Sequence, residues 1–360
     1  MRYLRCTICS GRRGYARMVS DMGTEIYCTL GTTTDDRAVL EGMVEAGMKG
    51  ARMNTAYATL DEYQRRLDMV RQVSDARIMM DLKGPQLRLY ADEAVRFSAG
   101  DRVRIGYLSG NIRLSGDCLG DLLPDDQILF ENGKMEGKVS RKGEEDVEVE
   151  MLCPDEGVLG SSMGVNIPGR YLSVNRLTEK DTEVLGFCVE NRVEDVALSF
   201  VRDYEDVRNL YEVLKGTAEE KGSDYMPRIV AKIEDGFGVR NLYDIIRWSG
   251  DAGIDLGVMV ARGDLAVEHP MEMLAFLQES IIGACRKEGV YCMTATGLLE
   301  SMQYGMTPTR SEVCDVYNAL RAGSDALLLS GETSNGVDPV NSTQSLSYII
   351  NTYESRYQSL

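Results

Sequence analysis

The sequence predicts an α/β protein, a TIM-type (β/α)8 barrel carrying a small all-β lid domain inserted after its third strand. Three observations carry that expectation. Short β-branched or aliphatic runs recur eight times, each ending in a polar tip and followed by a helix-like stretch. The runs are apolar almost throughout rather than alternating, the pattern of parallel strands covered on both faces. One connection, from Arg88 to about Gly169, breaks the rhythm with short alternating strands and turn signals.

In order, the eight runs are "EIYCTL" (25–30), "KGARMN" (49–54), "ARIMMDLKG" (76–84), "DVALSFVR" (195–202), "RIVAKIED" (228–235), "IDLGVMVARGD" (254–264), "VYCMTATG" (290–297) and "DALLLSGET" (325–333). The insertion is read from "AVRFSAGDRVRIGYL", "DDQILFENGKMEGKV" and "EEDVEVEML". This divides the chain into an N-terminal arm (1–22), a barrel (23–88 and 170–360) and a β-rich lid (89–169). The arm, with "SGRRGYAR", is basic and irregular. An insertion at this point sits over the barrel mouth, where it can close on a ligand.

Composition narrows the partners. Hydrophobic residues make up 43% and charged residues 27% of the 360, as in ordinary globular proteins. A formal net charge of −17 argues against nucleic acid or an anionic membrane as the main partner, and leaves a small anionic ligand open. Nine scattered cysteines, several within apolar runs such as "VYCM" and "GFCV", favour a reducing cytoplasm over a disulfide framework. Cys6 and Cys9 form a CxxC with no second ligand pair nearby, a weak signal for zinc or redox work. No stretch has the length of a membrane span, and the first residues lack an apolar signal core. The single histidine, His269, excludes a multi-histidine metal site; beside Pro270 it reads as positional or superficial.

Chemistry then rests on the strand tips, which converge on one face of a parallel barrel. They bring Arg52, Asn54, Asp81, Lys83, Arg88, Ser199, Arg202, Lys232, Glu234, Arg262, Asp264, Thr296 and the segment 330–333 to the mouth. Glu234 and Asp264, from neighbouring strands, can share one hard divalent cation, Mg2+ or Mn2+, through oxygen. Lys232 precedes Glu234 by two residues and so projects from the same side of its strand. An ammonium there is suited to charge developing on a substrate oxygen or phosphoryl group. Arg52 can fork a phosphate or carboxylate. "VARGDLAVE" reads as a loop in which Gly263 offers its N–H to an anion and Arg262 is fixed by a neighbouring carboxylate. Any one charged tip fits a solvated ion pair equally well. The convergence of Arg52, Lys232, Glu234, Asp264 and Thr296 points to a site.

The segments "ARMN", "DLKGP", "GVNIPG", "LTEKD", "SFVR", "AKIED", "MVARGDLAVE", "TATGLLESM", "TPTRSEVCDV" and "LLLSGET" resemble, in order and spacing, the pyruvate kinase family. The resemblance runs from about Cys28 to the end. It implies that the barrel is that family's A domain and the insertion its mobile B domain. It implies that Lys232 stabilises the transferring phosphoryl group, that Glu234 and Asp264 hold the divalent metal, and that Gly263 and Asp264 cradle the substrate carboxylate. Thr296 then lies near the enolate face, Arg52 binds phosphate, and Asn54, Lys83 and Arg88 fall to the nucleotide. The implied reaction moves a phosphoryl group from phosphoenolpyruvate to ADP and protonates the remaining enolate to pyruvate.

Departures from the family pattern are specific. Of its potassium ligands Asn54 and Asp81 remain, but Ala56 and Leu82 replace the hydroxyls, and Gln86 stands where potassium-dependent members carry glutamate. Potassium is therefore not expected in the usual place. On the nucleotide side Thr32 replaces a proline, Ser162 and Met163 replace two lysines, Glu131-Asn132-Gly133 replaces "DDG", and Gly297 replaces glutamine. Losing two cations weakens the hold on a polyphosphate unless another group compensates. The chain stops after "NSTQSLSYIINTYESRY", without the family's C-terminal domain, so allosteric control of the usual kind is not expected. "TPTRSEVCDV" opens a helix used in the family's barrel-to-barrel contact, hence the expectation of a homodimer. Three readings stay open: a minimal, potassium-independent pyruvate kinase; a metal-dependent 2-oxo acid lyase or decarboxylase; and a phosphoenolpyruvate-binding pseudokinase or assembly subunit.

Overall fold

In the computed structural model, residues 23–56 and 58–357 are described. The arm 1–22, with Cys6 and Cys9, lies outside them. Eight parallel strands close into a barrel: Glu25–Thr29, Met48–Asn54, Arg77–Asp81, Asp195–Leu198, Arg228–Ile233, Leu256–Ala261, Tyr291–Ala295 and Ala326–Leu329. Each pairs with its neighbours in sequence order, and the first pairs with the eighth, Cys28 opposite Leu329. The registers bring functional tips side by side. Arg52 lies opposite Thr29, Asn54 opposite Asp81, and Ala261 opposite Ala295.

The apolar runs explain this closure. Ile78, Met80, Val196, Leu198, Val258 and Val260 face outward under the helices. The alternate residues Met79, Ala197, Val230, Met259 and Met293 fill the barrel interior. The bottom of the interior is sealed by charge instead. Asp195, fully buried, takes ion pairs from Arg77 and Arg228 at 2.7 Å each and a hydrogen bond from the Tyr27 hydroxyl at 2.9 Å.

Several of the quoted motifs turn out to be helix starts. In "LTEKD", Thr178 and Asp181 form a capping box on the helix Glu179–Glu190. In "TPTRSE", Thr309 and Glu312 do the same for Arg310–Ala322. Asp235 of "KIED" accepts from Phe237 N and Gly238 N and caps Gly236–Asp251. The Asp181 carboxylate also accepts from the backbone N–H of Lys83 at 3.1 Å, tying a cap to a strand tip.

Between the third and fourth barrel strands the chain forms a second closed sheet of seven strands, the first at Leu87–Ala91 and the last at Gly164–Asn166. A two-stranded sheet, Val95–Ser98 with Glu156–Leu159, lies beside it. This unit has its own core, including Leu89, Ile105, Phe130, Val139, Val149 and Val165. Its return segment is pinned to the barrel. Arg202 donates to Leu172 O at 2.8 Å, and its guanidinium lies 3.8 Å from the centre of the Tyr171 ring. That ring meets Phe237 edge-on, 5.3 Å between centroids.

One expectation needs correction. The stretch after the sixth strand is not a loop: Arg262–Glu268 is a seven-residue helix, with Gly263 and Asp264 in its first turn. The residues that read as a break in an apolar run begin the helix immediately, and Arg262 turns away from solvent to anchor it.

Candidate active site

A cleft of about 720 Å3 opens between the barrel mouth and the smaller sheet. Arg52, Asn54, Lys83, Arg88, Lys232, Glu234, Gly263, Asp264 and Thr296 all line it. Of the other tips, Arg262 and Arg202 are spent elsewhere. Arg262 donates to Thr296 O at 2.6 and 2.9 Å and pairs with Asp315 at 2.7 Å. The carboxylate that fixes it therefore comes from the helix Arg310–Ala322 rather than from its own segment.

The floor is a dense charge network. The Lys232 ammonium contacts Ser199 Oγ at 2.8 Å, Asp81 at 3.0 Å and Glu234 at 3.1 Å. Burial acts to lower its pKa, but Asp81 and Glu234 more than offset this and push it up to about 12, so the cation is permanent at neutral pH. Asp81 also takes a forked pair from Arg52, at 2.8 Å from Nε and 2.6 Å from Nη2. Burial works to raise the Asp81 pKa; Lys232 and Arg52 hold it below the usual value. Arg52 is completed by Thr29 Oγ1 at 3.0 Å. Asp81 and Ser199 are thus the hinge pins of the two cations. Both were visible as strand tips, but nothing in the sequence showed that they face Lys232.

Glu234 and Asp264 are different, because burial outweighs the pull of the cation near them. Burial pushes Glu234 up to about 8, against the pull of Lys232 and with Asp264 and Asp81 adding to the rise. Burial also raises Asp264. Two carboxyls held at unfavourable charge on one side of a cleft suit a divalent cation. Among the described residues no group of three or more His, Cys, Asp or Glu forms a complete ligand set. Two protein oxygens, with water and substrate filling the rest, is how Mg2+ is commonly held. The donor set therefore fits Mg2+ or Mn2+, which Glu234 and Asp264 would hold.

Backbone strain gathers at the same place. Seven non-glycine residues among those described have positive φ, and five of them line the cleft: Glu131, Asn132, Ser162, Phe200 and Thr296. A β-branched residue at φ 74, as Thr296 is, costs on the order of 1–3 kcal/mol. Arg262 holds it there through the Thr296 carbonyl. Phe200, at φ 53, aims its N–H at Glu234 Oε2, 2.6 Å away.

The sequence and fold have counterparts among known proteins. A family profile described as the pyruvate kinase barrel domain matches residues 22–343. The chain belongs to the pyruvate kinase family. It is 34% identical over 345 residues to a pyruvate kinase of Sporosarcina psychrophila, covering 92% of this chain and 57% of that protein. A Chlamydia trachomatis pyruvate kinase is 33% identical over 347 residues, covering 93% and 69%. The crystal structure of a pyruvate kinase from Cryptosporidium parvum superposes with a TM-score of 0.85 at 28% identity, covering 96% of this chain and 73% of that one. The chain thus spans between about half and seven-tenths of the length of these curated pyruvate kinases.

The side of the cleft formed by the smaller sheet is plainer than the barrel side. Arg88 donates to Ser162 O at 2.8 Å and to Gln86 Oε1 at 2.9 Å. Asn54 accepts from Ala56 N, a local turn contact. Met163, where the pyruvate kinase pattern has a lysine, accepts Gly160 N–H on its sulfur at 3.4 Å and packs against the lid core. It does not reach the cleft as a charge. Two residues, quoted only within longer motifs, make contacts the sequence did not foresee. Asn166, in the lid's last strand, donates to Glu268 at 3.0 Å and to Asp264 at 3.4 Å. Burial pushes Glu268 up to about 7, against the hydrogen bond from Asn166. The only available signal was the four-residue spacing of Asp264 and Glu268, which puts both on one helical face.

Proposed function

We propose that this protein transfers a phosphoryl group between phosphoenolpyruvate and ADP with a divalent metal, without needing potassium. The observation that carries the reading is Lys232, a permanent ammonium fixed by oxygens of Ser199, Asp81 and Glu234, with the buried carboxyl of Asp264 lining the same cleft. When bound, the metal supplies Lewis acidity toward the substrate's oxygens. Lys232 offsets negative charge on the phosphoryl group as it leaves its carbon-bound oxygen. Arg52, locked by Asp81, orients the phosphate. Gly263, in the first turn of its helix and lining the cleft, has no side chain to keep a substrate carboxylate from its backbone. Thr296 stands at the face where the enolate is protonated, and Asn54, Lys83 and Arg88 meet the acceptor. The smaller sheet acts as the lid.

Potassium independence is supported by Ala56 and Leu82 lining the cleft without hydroxyls, and by both Asp81 oxygens being taken by Arg52 and Lys232. A homodimer through the barrel is supported by exposed Met271, Phe276, Met306 and Tyr317 on or just before two helices adjacent in the ring; sedimentation velocity tests it. A second reading, a metal-dependent 2-oxo acid lyase or decarboxylase, is favoured by one observation, the absence of lid-side charge at Ser162 and Met163.

The deciding assay measures pyruvate release from phosphoenolpyruvate and ADP with Mg2+ or Mn2+, with and without K+, beside Glu234→Ala. Turnover that needs Glu234 and ignores K+ supports the kinase. Metal-dependent binding of oxalate or phosphoenolpyruvate with no phosphoryl transfer to ADP supports the second reading or a phosphoenolpyruvate-binding pseudokinase.

A further inference from the structure

Asn166 occupies an unusual position. It lies on the lid's last strand, Gly164–Asn166, yet its side chain is spent on the barrel. It is only 5% exposed, between the lid-core residues Val165 and Ile167. Its amide donates to two carboxylates of the helix Arg262–Glu268, Asp264 at 3.4 Å and Glu268 at 3.0 Å. One of these is a proposed metal ligand and the other lies one turn further on.

We propose that Asn166 is a positioning residue for the divalent cation, holding Asp264 in its ligating orientation from the lid. The inference rests on the metal assignment made above for Glu234 and Asp264. The chemistry of the side chain supports the role. A single amide nitrogen has two hydrogens, enough for both carboxylates at once. It is also neutral, so it orients Asp264 without cancelling the charge a cation needs. A lysine or arginine at this place would fix the carboxylate equally well and compete with the metal. Partners of this outer kind commonly hold metal ligands in place, and losing one costs roughly 10–100-fold in affinity.

A consequence follows for the lid. The next residues of the same segment are fixed to the barrel by Arg202, through Leu172 O and the Tyr171 ring. Asn166 therefore sits where the lid sheet ends and the anchored return begins. Metal at Asp264 and the orientation of that strand are linked through one side chain, and the linkage is reciprocal.

The experiment is Mn2+ binding by electron paramagnetic resonance and calorimetry, on the full chain with no substrate or nucleotide. The variants are Asn166→Leu, Asn166→Gln, Glu268→Gln, Glu234→Gln and Asp264→Asn. Asn166→Leu, close in size but without donors, is expected to weaken Mn2+ roughly 10-fold while the thermal midpoint stays near wild type. Asn166→Gln, which restores an amide, is expected to recover part of that loss, and it serves as the test should the leucine variant fail to fold. Glu268→Gln is expected to change affinity less than threefold, an order-of-magnitude bound. Unchanged Mn2+ affinity in Asn166→Leu overturns the proposal, as does an equal loss in Glu268→Gln, which would make Glu268 itself a ligand. If Glu234→Gln and Asp264→Asn bind Mn2+ like wild type, it is the metal assignment that fails. That outcome is distinct from the failure of Asn166 alone.

Discussion

The two walls of the cleft are built on different terms. On the barrel wall Arg52, Asp81, Ser199, Lys232 and Glu234 form one connected network of short contacts on strand tips. On the lid wall Arg88 leans on a backbone carbonyl and a neutral glutamine, and Ser162 and Met163 bring no charge. A rigid wall whose every ion is cross-braced suits chemistry that depends on placement. A sparse wall suits a partner that arrives, is held briefly and leaves. Under the proposed function, the barrel wall would take phosphoenolpyruvate and the sparser wall the acceptor.

The largest expected effect tests the barrel wall. Lys232→Met should lower kcat for pyruvate formation by at least about 100-fold while leaving oxalate binding within a few-fold; an equal loss of binding and turnover would reduce Lys232 to a ground-state contact. Next comes the scaffold beneath it. Asp195→Asn leaves Arg77 and Arg228 facing each other without their carboxylate, and is expected to cost about 3–5 kcal/mol in denaturant unfolding. The sign of its pH dependence follows from its environment. Burial acts to raise the Asp195 pKa, but Arg77 and Arg228 win and hold it below the usual value. Its contribution is therefore complete above the unfolded value of about 3.9 and disappears as pH falls through the lower folded value. Wild type and Asp195→Asn should converge in stability only in that acid range; a constant gap down to the acid limit would remove the ion-pair explanation.

The lid wall is tested by repair rather than damage. Ser162→Lys with Met163→Lys should lower the KM for ADP by roughly 10-fold, since a charge-assisted phosphate contact is worth about 1.5–3 kcal/mol, with little change in the KM for phosphoenolpyruvate. If both constants move together, the two walls are not separable. The smallest effect concerns strain. Thr296→Gly should stabilise the fold by about 1 kcal/mol, because glycine accepts a left-handed conformation without penalty, and should slow turnover. A thermal scan and a kcat measurement on the same preparation check both halves.

Much of the barrel was legible because its signal is periodic and redundant. Eight apolar runs, their polar tips and the helices between them each point to the same closure, so no single residue has to be read correctly. The candidate site was legible where a strand tip carries its own chemistry, as with Lys232, Glu234 and Arg52, which all line the cleft. It was not legible where function depends on which way a side chain turns. "VARGD" reads as a loop because glycine and aspartate follow an apolar run, yet Arg262 reaches across to Asp315 and Thr296 and lets a helix begin at once. Asn166 was quoted within "GVNIPG", but only the fold places its amide against a helix far along the chain. The capping boxes at Thr178 and Thr309 carry the opposite lesson: segments that mark the family most clearly can be structural punctuation.

The separate core of the smaller sheet has an evolutionary meaning. Its interior, around Phe130, Val139 and Val149, is distinct from the core packed under the barrel helices. Substitutions that reshape the lid's inner face are therefore screened against the folding of a small module and not against the scaffold that carries the reactive groups. Such a partition lets the inner face of the smaller sheet vary, at positions such as Ser162 and Met163, without repacking the scaffold that holds Arg52, Lys232 and Glu234.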